Sequence, residues 1–123
     1  MKIIIVGGTG TVGSAVVKEL SKRHEVIIVT HEHGNIQADI TDNASIEKMY
    51  KKVGKFDAVI STTGKLHFGP LTELTAEHYH IGLQSKLMGQ VNLVLLGLKY
   101  IQDNGLPQIG AFLKAGDCVI GKV

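Results

Sequence analysis

Apolar residues in this chain fall into short runs separated by amphipathic stretches. The runs are Ile3-Ile4-Ile5-Val6, Glu25-Val26-Ile27-Ile28-Val29, Ile36-Gln37-Ala38-Asp39-Ile40 and Asp57-Ala58-Val59-Ile60-Ser61. Their β-branched content suits strands, and the first two are apolar enough to be buried on both faces. Between the runs the period lengthens. Val12, Ala15, Val16 and Leu20 are apolar among Lys18, Glu19, Lys22 and Arg23, and Ile46, Met49, Tyr50 and Val53 share one face of a helix from Ala44 to Val53. Asp42 or Asn43 can cap that helix. A longer helical pattern starts at Thr75 and runs through Tyr100. Leu83, Leu87, Val91, Leu95 and Leu98 recur along it at helical spacing, which predicts a helix packed on the sheet through that stripe. Strands alternating with helices predict an α/β fold: a parallel sheet in the order 3-2-1-4, helices on both faces and right-handed crossovers.

The link from the first strand to the first helix carries the clearest chemistry. Gly7, Gly10 and Gly13 recur at a spacing of three between a buried strand and a helix. The first glycine allows a tight turn with positive φ. The second lets the backbone approach a pyrophosphate, and the third lets the helix lie close to the strand. The helix N-terminus offers free N–H groups and the positive end of its dipole to an anion. Strand, glycine turn and helix in this order predict a dinucleotide site, with Thr9, Thr11 and Val12 beside the glycines.

Other candidate contacts lie where the later strands end. Thr30-His31-Glu32-His33 follows the second strand, where the adenosine ribose of a dinucleotide is expected. Thr30 and His31 suit the 2′-phosphate of NADP, whereas Glu32 suits the 2′-hydroxyl of NAD, and the balance leans to NADP. The His-x-His spacing also invites zinc, but sequence places no further ligand. Asp39-Ile40 ends the third strand, where a carboxylate can meet the adenine amino group. Thr62-Thr63-Gly64 ends the fourth and leaves room for close passage of a cofactor.

Composition narrows the class. The chain has 123 residues, enough for one domain with a modest core. Its 13 basic and 11 acidic residues give a net charge of +2, too balanced to argue for nucleic acid or an anionic membrane. The four-residue apolar start flows into a glycine turn and does not read as a signal peptide. The single cysteine, Cys118, forms no internal disulfide, and a reducing, cytoplasmic setting is expected.

The glycine turn, Asp39-Ile40, Ser61-Thr62-Thr63-Gly64 and the long helix together resemble the N-terminal half of a short-chain dehydrogenase/reductase. The spacing of the glycines resembles the extended and atypical members. Pro70-Leu71-Thr72-Glu73-Leu74-Thr75 and Gly89-Gln90-Val91-Asn92-Leu93-Val94-Leu95-Leu96-Gly97 are similar to small bacterial ones. The resemblance covers residues 1 to about 101. It implies a Rossmann domain binding NADP or NAD. Gly7, Gly10 and Gly13 would lie on the pyrophosphate, Asp39 near adenine, and Thr62, Thr63 and Gly64 beside the adenosine ribose. In complete relatives a small carbonyl or alcohol is the substrate.

Two departures bear on catalysis. The family's helix asparagine, which supports a proton relay, falls at Lys86. The family's Tyr-x-x-x-Lys pair does not occur: Tyr50, Tyr79 and Tyr100 are followed four residues later by Gly54, Leu83 and Asn104. Residues 102–123 form an atypical tail. Its Asn-Gly-Leu-x-x-x-Gly and Gly-Asp-x-x-Ile-Gly-Lys patterns resemble a short β-rich segment of the catalytic β-type subunit of RNA polymerase, and suggest a truncated or fused chain with Asp117-Cys118-Val119-Ile120 as a strand. The expectation is therefore a cofactor-binding domain with little or no turnover, truncated before the catalytic half. The alternative is a non-catalytic nucleotide-binding or interaction module, self-associating through an unpaired edge at the fourth strand and the apolar face of the long helix.

Overall fold

The computed structural model describes residues 1–102 and 118–121. Strand β1 (Lys2–Val6) leads through the glycine turn into helix α1 (Thr11–Leu20). Strands β2 (Glu25–Thr30) and β3 (Ile36–Gln37), helix α2 (Asn43–Val53) and strand β4 (Ala58–Ser61) follow. After a loop with a short turn at Leu71–Glu73 come helix α3 (Ala76–Gly82), a π-wound segment (Leu83–Gly89) and helix α4 (Gln90–Gly97). Strand β5 (Cys118–Gly121) completes the described elements.

Strands β1 to β4 form a parallel sheet in the expected order 3-2-1-4. The third strand is shorter than the apolar run suggests, since only Ile36 and Gln37 pair with β2. β5 then pairs antiparallel with β4, Ser61 opposite Cys118 and Ala58 opposite Gly121. The edge of β4 is thus covered. The expected unpaired edge is not there, and edge-to-edge association at β4 loses its physical basis. Among the described residues the sheet ends on β5 at this side and on the two-residue β3 at the other, a length that gives little template for pairing.

The core lies between one face of the sheet and helices α2 and α4. Ile4, Val6, Val29 and Val59 meet Ile46, Met49, Tyr50 and Leu93 there. Tyr50 is wholly buried, and its hydroxyl donates to the Leu93 carbonyl at 2.8 Å. Its ring stacks on Phe56 and Tyr100. Asp42, one of the two expected caps, accepts from the Ala44 N–H at 3.0 Å. Thr75 caps α3, accepting from the His78 N–H while its own N–H donates to His78 Nδ1.

The long helix turns a different face inward from the one its leucines suggest. Leu83, Leu87 and Leu95 are 52 %, 51 % and 57 % exposed, and Leu98 is also exposed. The buried line is Ser85, Gly89, Leu93 and Gly97. Distance explains the inversion. A Cβ on Gly89 would stand 2.8 Å from Ile40 Cδ1, and one on Gly97 would stand 2.8 Å from the Tyr50 hydroxyl. The helix approaches so closely that much of its inner line must be small, so the bulky residues turn outward. The helix also stops at Gly97 rather than Tyr100. The apolar outer face remains as expected ground for an interaction surface. None of the helices among the described residues is long and apolar enough to cross a membrane.

Candidate functional site

The parallel strands all end at one side of the sheet, where ligands bind in open α/β folds. Gly7 leaves β1 with φ of +86°, a region that favours glycine. Its N–H donates to the Val29 carbonyl at 2.8 Å. Its carbonyl accepts from the Gly10 N–H at 3.0 Å and from the Thr62 hydroxyl at 3.1 Å. The Thr62 hydroxyl also reaches the Val6 carbonyl at 3.2 Å, so this residue ties the end of β4 to the turn.

The three glycines are small for different reasons. A Cβ on Gly13 would fall 2.1 Å from the Gly7 carbonyl oxygen, inside the backbone itself. A Cβ on Gly7 would fall 2.9 Å from the Thr63 Cβ. Gly10 differs. Its nearest neighbour would be the Gly7 oxygen at 3.4 Å, an ordinary contact, and its φ of −73° suits any residue. Among the described residues no neighbour requires glycine at position 10, and the residue lines the cleft. Gly10 is also the N-cap of α1, with no side-chain cap and no acidic residue in the helix's first turn. The first N–H groups of the helix are therefore left for an external acceptor.

The cleft holds about 300 Å³. From the turn it takes Gly7, Thr9 and Gly10; from the end of β2, Thr30 and His31. Asp39 and Ile40 come from the segment after β3, and Thr62 and Thr63 from the end of β4. Thr11, Val12 and Gly13 stand outside its walls, in the first turn of α1. Gly64, with φ of +142°, is also outside its walls, and the Lys86 side chain packs on it: a Cβ there would fall 2.6 Å from Lys86 Cγ. Lys86 belongs to the π-wound segment and does not line the cleft.

Five lining residues escape the sequence reading: Val6, Ala38, Thr41, Lys65 and Ser85. The Lys65 N–H donates to Ser85 Oγ at 2.8 Å, and both residues face the cleft. Ser85 is 4 % exposed. No signal in sequence marks it, because it lies off the leucine stripe expected to face inward. Lys65 has none in sequence, because it reaches the cleft only through the fold of the loop after β4.

Electrostatics where the cleft meets the ends of β2 and β3 are set by Asp39. One carboxylate oxygen accepts from the Thr41 hydroxyl at 2.7 Å and the Thr41 N–H at 2.8 Å. The other faces His31 Nε2 at 3.6 Å. The Thr41 hydroxyl and N–H, with a smaller attraction from His31, outweigh burial and hold the carboxyl below the ordinary aspartate value of 3.8. Asp39 thus serves its own turn on one side and faces the cleft on the other. Thr30 is similarly divided: it lines the cleft, while its hydroxyl donates to the His33 carbonyl. A folded pKa below the unfolded one adds stability that is in place above pH 3.8 and lost as pH falls through the lowered value. A pH titration followed by NMR is expected to show the Thr41 amide shift with a midpoint below 3.8; a midpoint at or above it contradicts the turn geometry.

A parallel sheet with a glycine turn feeding an uncapped helix defines a Rossmann-type nucleotide-binding domain. The chain belongs to the NAD dependent epimerase/dehydratase family, whose description matches residues 3–108. It is similar to the solved structure of the protein lin1944 from Listeria innocua, at 50 % identity and a TM-score of 0.82, covering 85 % of this chain and 52 % of that one. A small-chain dehydrogenase solved in complex with NADPH shares the fold at 24 % identity and a TM-score of 0.75, covering 85 % of this chain and 48 % of that one. Hydroxynaphthalene reductase of Aspergillus fumigatus is 24 % identical over 92 % of this chain and 50 % of its own length. The chain therefore spans about half the length of the relatives it matches. The family match runs past residue 101, where the expected boundary stood. Residues 103–117, 122 and 123, which carry most of the tail resembling RNA polymerase, lie outside the described residues.

Proposed function

We propose that this chain is the NADP(H)-binding segment of a short-chain dehydrogenase/reductase-type oxidoreductase, and that the 123-residue chain by itself binds the cofactor with little or no turnover. The observation that carries the reading is Gly10. Nothing among the described residues demands a glycine there, yet the position faces the cleft beside the uncapped start of α1. That is where the backbone must stay bare if a pyrophosphate is to approach. Asp39 and Ile40 would border the adenine, and Thr30 and His31 the substituted ribose, with Thr62 and Thr63 on the wall formed by the end of β4 and Gly64 just behind them in sequence.

A bound nicotinamide supplies hydride chemistry, and the protein supplies position and proton transfer. This chain has residues for the first task. For the second, no Tyr-x-x-x-Lys pair is present. Lys86, at the family's asparagine position, packs on Gly64. Its amine is the one side-chain group we assign, as a positioning residue, to the nicotinamide end. A small carbonyl or alcohol is the substrate class in complete relatives of this type.

The test is a calorimetric titration of the whole chain with NADPH, followed by absorbance at 340 nm in the presence of simple aldehydes and ketones. Saturable binding without carbonyl-dependent oxidation is expected. Oxidation that depends on the carbonyl and survives purification overturns the low-turnover part. Absence of binding overturns the reading as a whole.

A further inference from the structure

A second recess opens from the cleft at the end of β2. It holds about 300 Å³ and is lined by Thr9, Thr30, His31, Glu32, His33 and Lys65. Four of these, Thr9, Thr30, His31 and Lys65, also line the main cleft, so the two spaces are continuous. Most of its ionisable side chains face a partner. His31 faces Asp39 at 3.6 Å, and His33 faces Glu32 at 3.9 Å. Lys65 is the exception. Among the described residues its ammonium has neither an acid partner nor a hydrogen-bond acceptor, although its backbone is anchored to the buried Ser85. Among the described residues the recess therefore presents one unpartnered ammonium, with the Glu32 carboxylate, threonine hydroxyls and imidazoles around it.

We infer that Lys65 is a specificity-determining residue for the 2′-phosphate of the dinucleotide, reaching from the loop after β4 to the end of β2. The inference rests on the nucleotide-binding reading above. The location separates this role from pyrophosphate binding. The start of α1 serves the pyrophosphate, whereas the recess lies beside Thr30 and His31, where the adenosine ribose is expected. An ammonium is a flexible point charge with three donors and suits a phosphate approached from across a cleft. Two features fix the backbone that carries it. Gly64 adopts φ of +142° just before it, and the Lys65 N–H is held by Ser85 Oγ at 2.8 Å. Glu32 is the opposing group. Its carboxylate lies in the same recess and disfavours a phosphate, so the cation of Lys65 decides whether a doubly charged group is accepted.

The probes are adenosine 2′,5′-bisphosphate and adenosine 5′-monophosphate, which differ only in the 2′-phosphate, titrated calorimetrically into the whole chain. Lys65→Gln is expected to weaken the bisphosphate about tenfold and the monophosphate less than about twofold, the loss of one charge-assisted contact. Lys65→Arg retains most of the preference. Glu32→Gln is expected to tighten the bisphosphate several-fold. The preference should shrink with added salt, because the group is exposed. Equal weakening of both probes by Lys65→Gln places the lysine on the shared 5′-phosphate and overturns the inference while leaving the nucleotide reading intact. So does no effect on either, or a Glu32→Gln variant that loses the monophosphate. If the unaltered chain binds neither probe, the nucleotide reading falls and the inference falls with it.

Discussion

Gly13→Ala is expected to destabilise the fold by about 3 kcal/mol and lower the thermal midpoint by about 10 °C. The added methyl would stand 2.1 Å from the Gly7 carbonyl oxygen and 2.7 Å from the Thr62 hydroxyl. Neither is the free end of a flexible side chain. The Gly7 carbonyl is fixed by the Gly10 N–H and by Thr62, and Thr62 in turn holds the end of β1. Relief requires α1 to move away from β1 or the turn to reopen, and either loses contacts that set the mouth of the cleft. Circular dichroism on heating, with urea unfolding as a check, measures the effect. A midpoint within about 2 °C of the parent would show that the turn is far softer than its geometry implies.

Gly10→Ser is expected to do the reverse: leave stability unchanged or slightly raised, and weaken NADPH binding about a hundredfold. Serine is a preferred N-cap, and the extended backbone of Gly10 accepts it. Its hydroxyl would take the N–H groups at the start of α1 that a pyrophosphate needs, and its Cβ would occupy the space the glycine leaves open. Losing about two charge-assisted hydrogen bonds accounts for the magnitude. The sign pattern separates this account from a structural role for the glycine. A variant that binds NADPH as well as the parent would mean that the ligand lies elsewhere. A variant that unfolds would mean that Gly10 serves the fold.

The parts legible in sequence are those set by local chemistry. The β-branched runs fixed β1, β2 and β4, because a buried parallel strand tolerates little else. Glycine spacing located the turn, and Asp42 was one of two named caps. The long helix misled because its largest apolar residues were taken to mark the buried face. The close approach of Gly89 to Ile40 and of Gly97 to Tyr50 reverses that logic, and it depends on tertiary distances no single helix pattern carries. The strand at Cys118–Gly121 was foreseen as a strand, but its antiparallel pairing with β4 was not. At the site, Gly7, Thr9, Gly10, Thr30, His31, Asp39, Ile40, Thr62 and Thr63 meet in one cleft. Lys65 and Ser85 were missed for one reason: a 20-residue separation in sequence is closed by a single hydrogen bond.

The division among the three glycines also explains why the motif alone says little. Gly7 and Gly13 satisfy the chain, and a strand-turn-helix with no ligand would need them equally. Gly10 is the member whose smallness the protein does not use. The nucleotide reading therefore depends on one position and on the helix start behind it, and the direct measurement observes that place. An ¹⁵N-labelled sample of the whole chain titrated with NADPH is predicted to show saturable shifts largest at the amides of Thr9 to Gly13. Saturable shifts centred elsewhere, or no saturable shift at those amides, would contradict it.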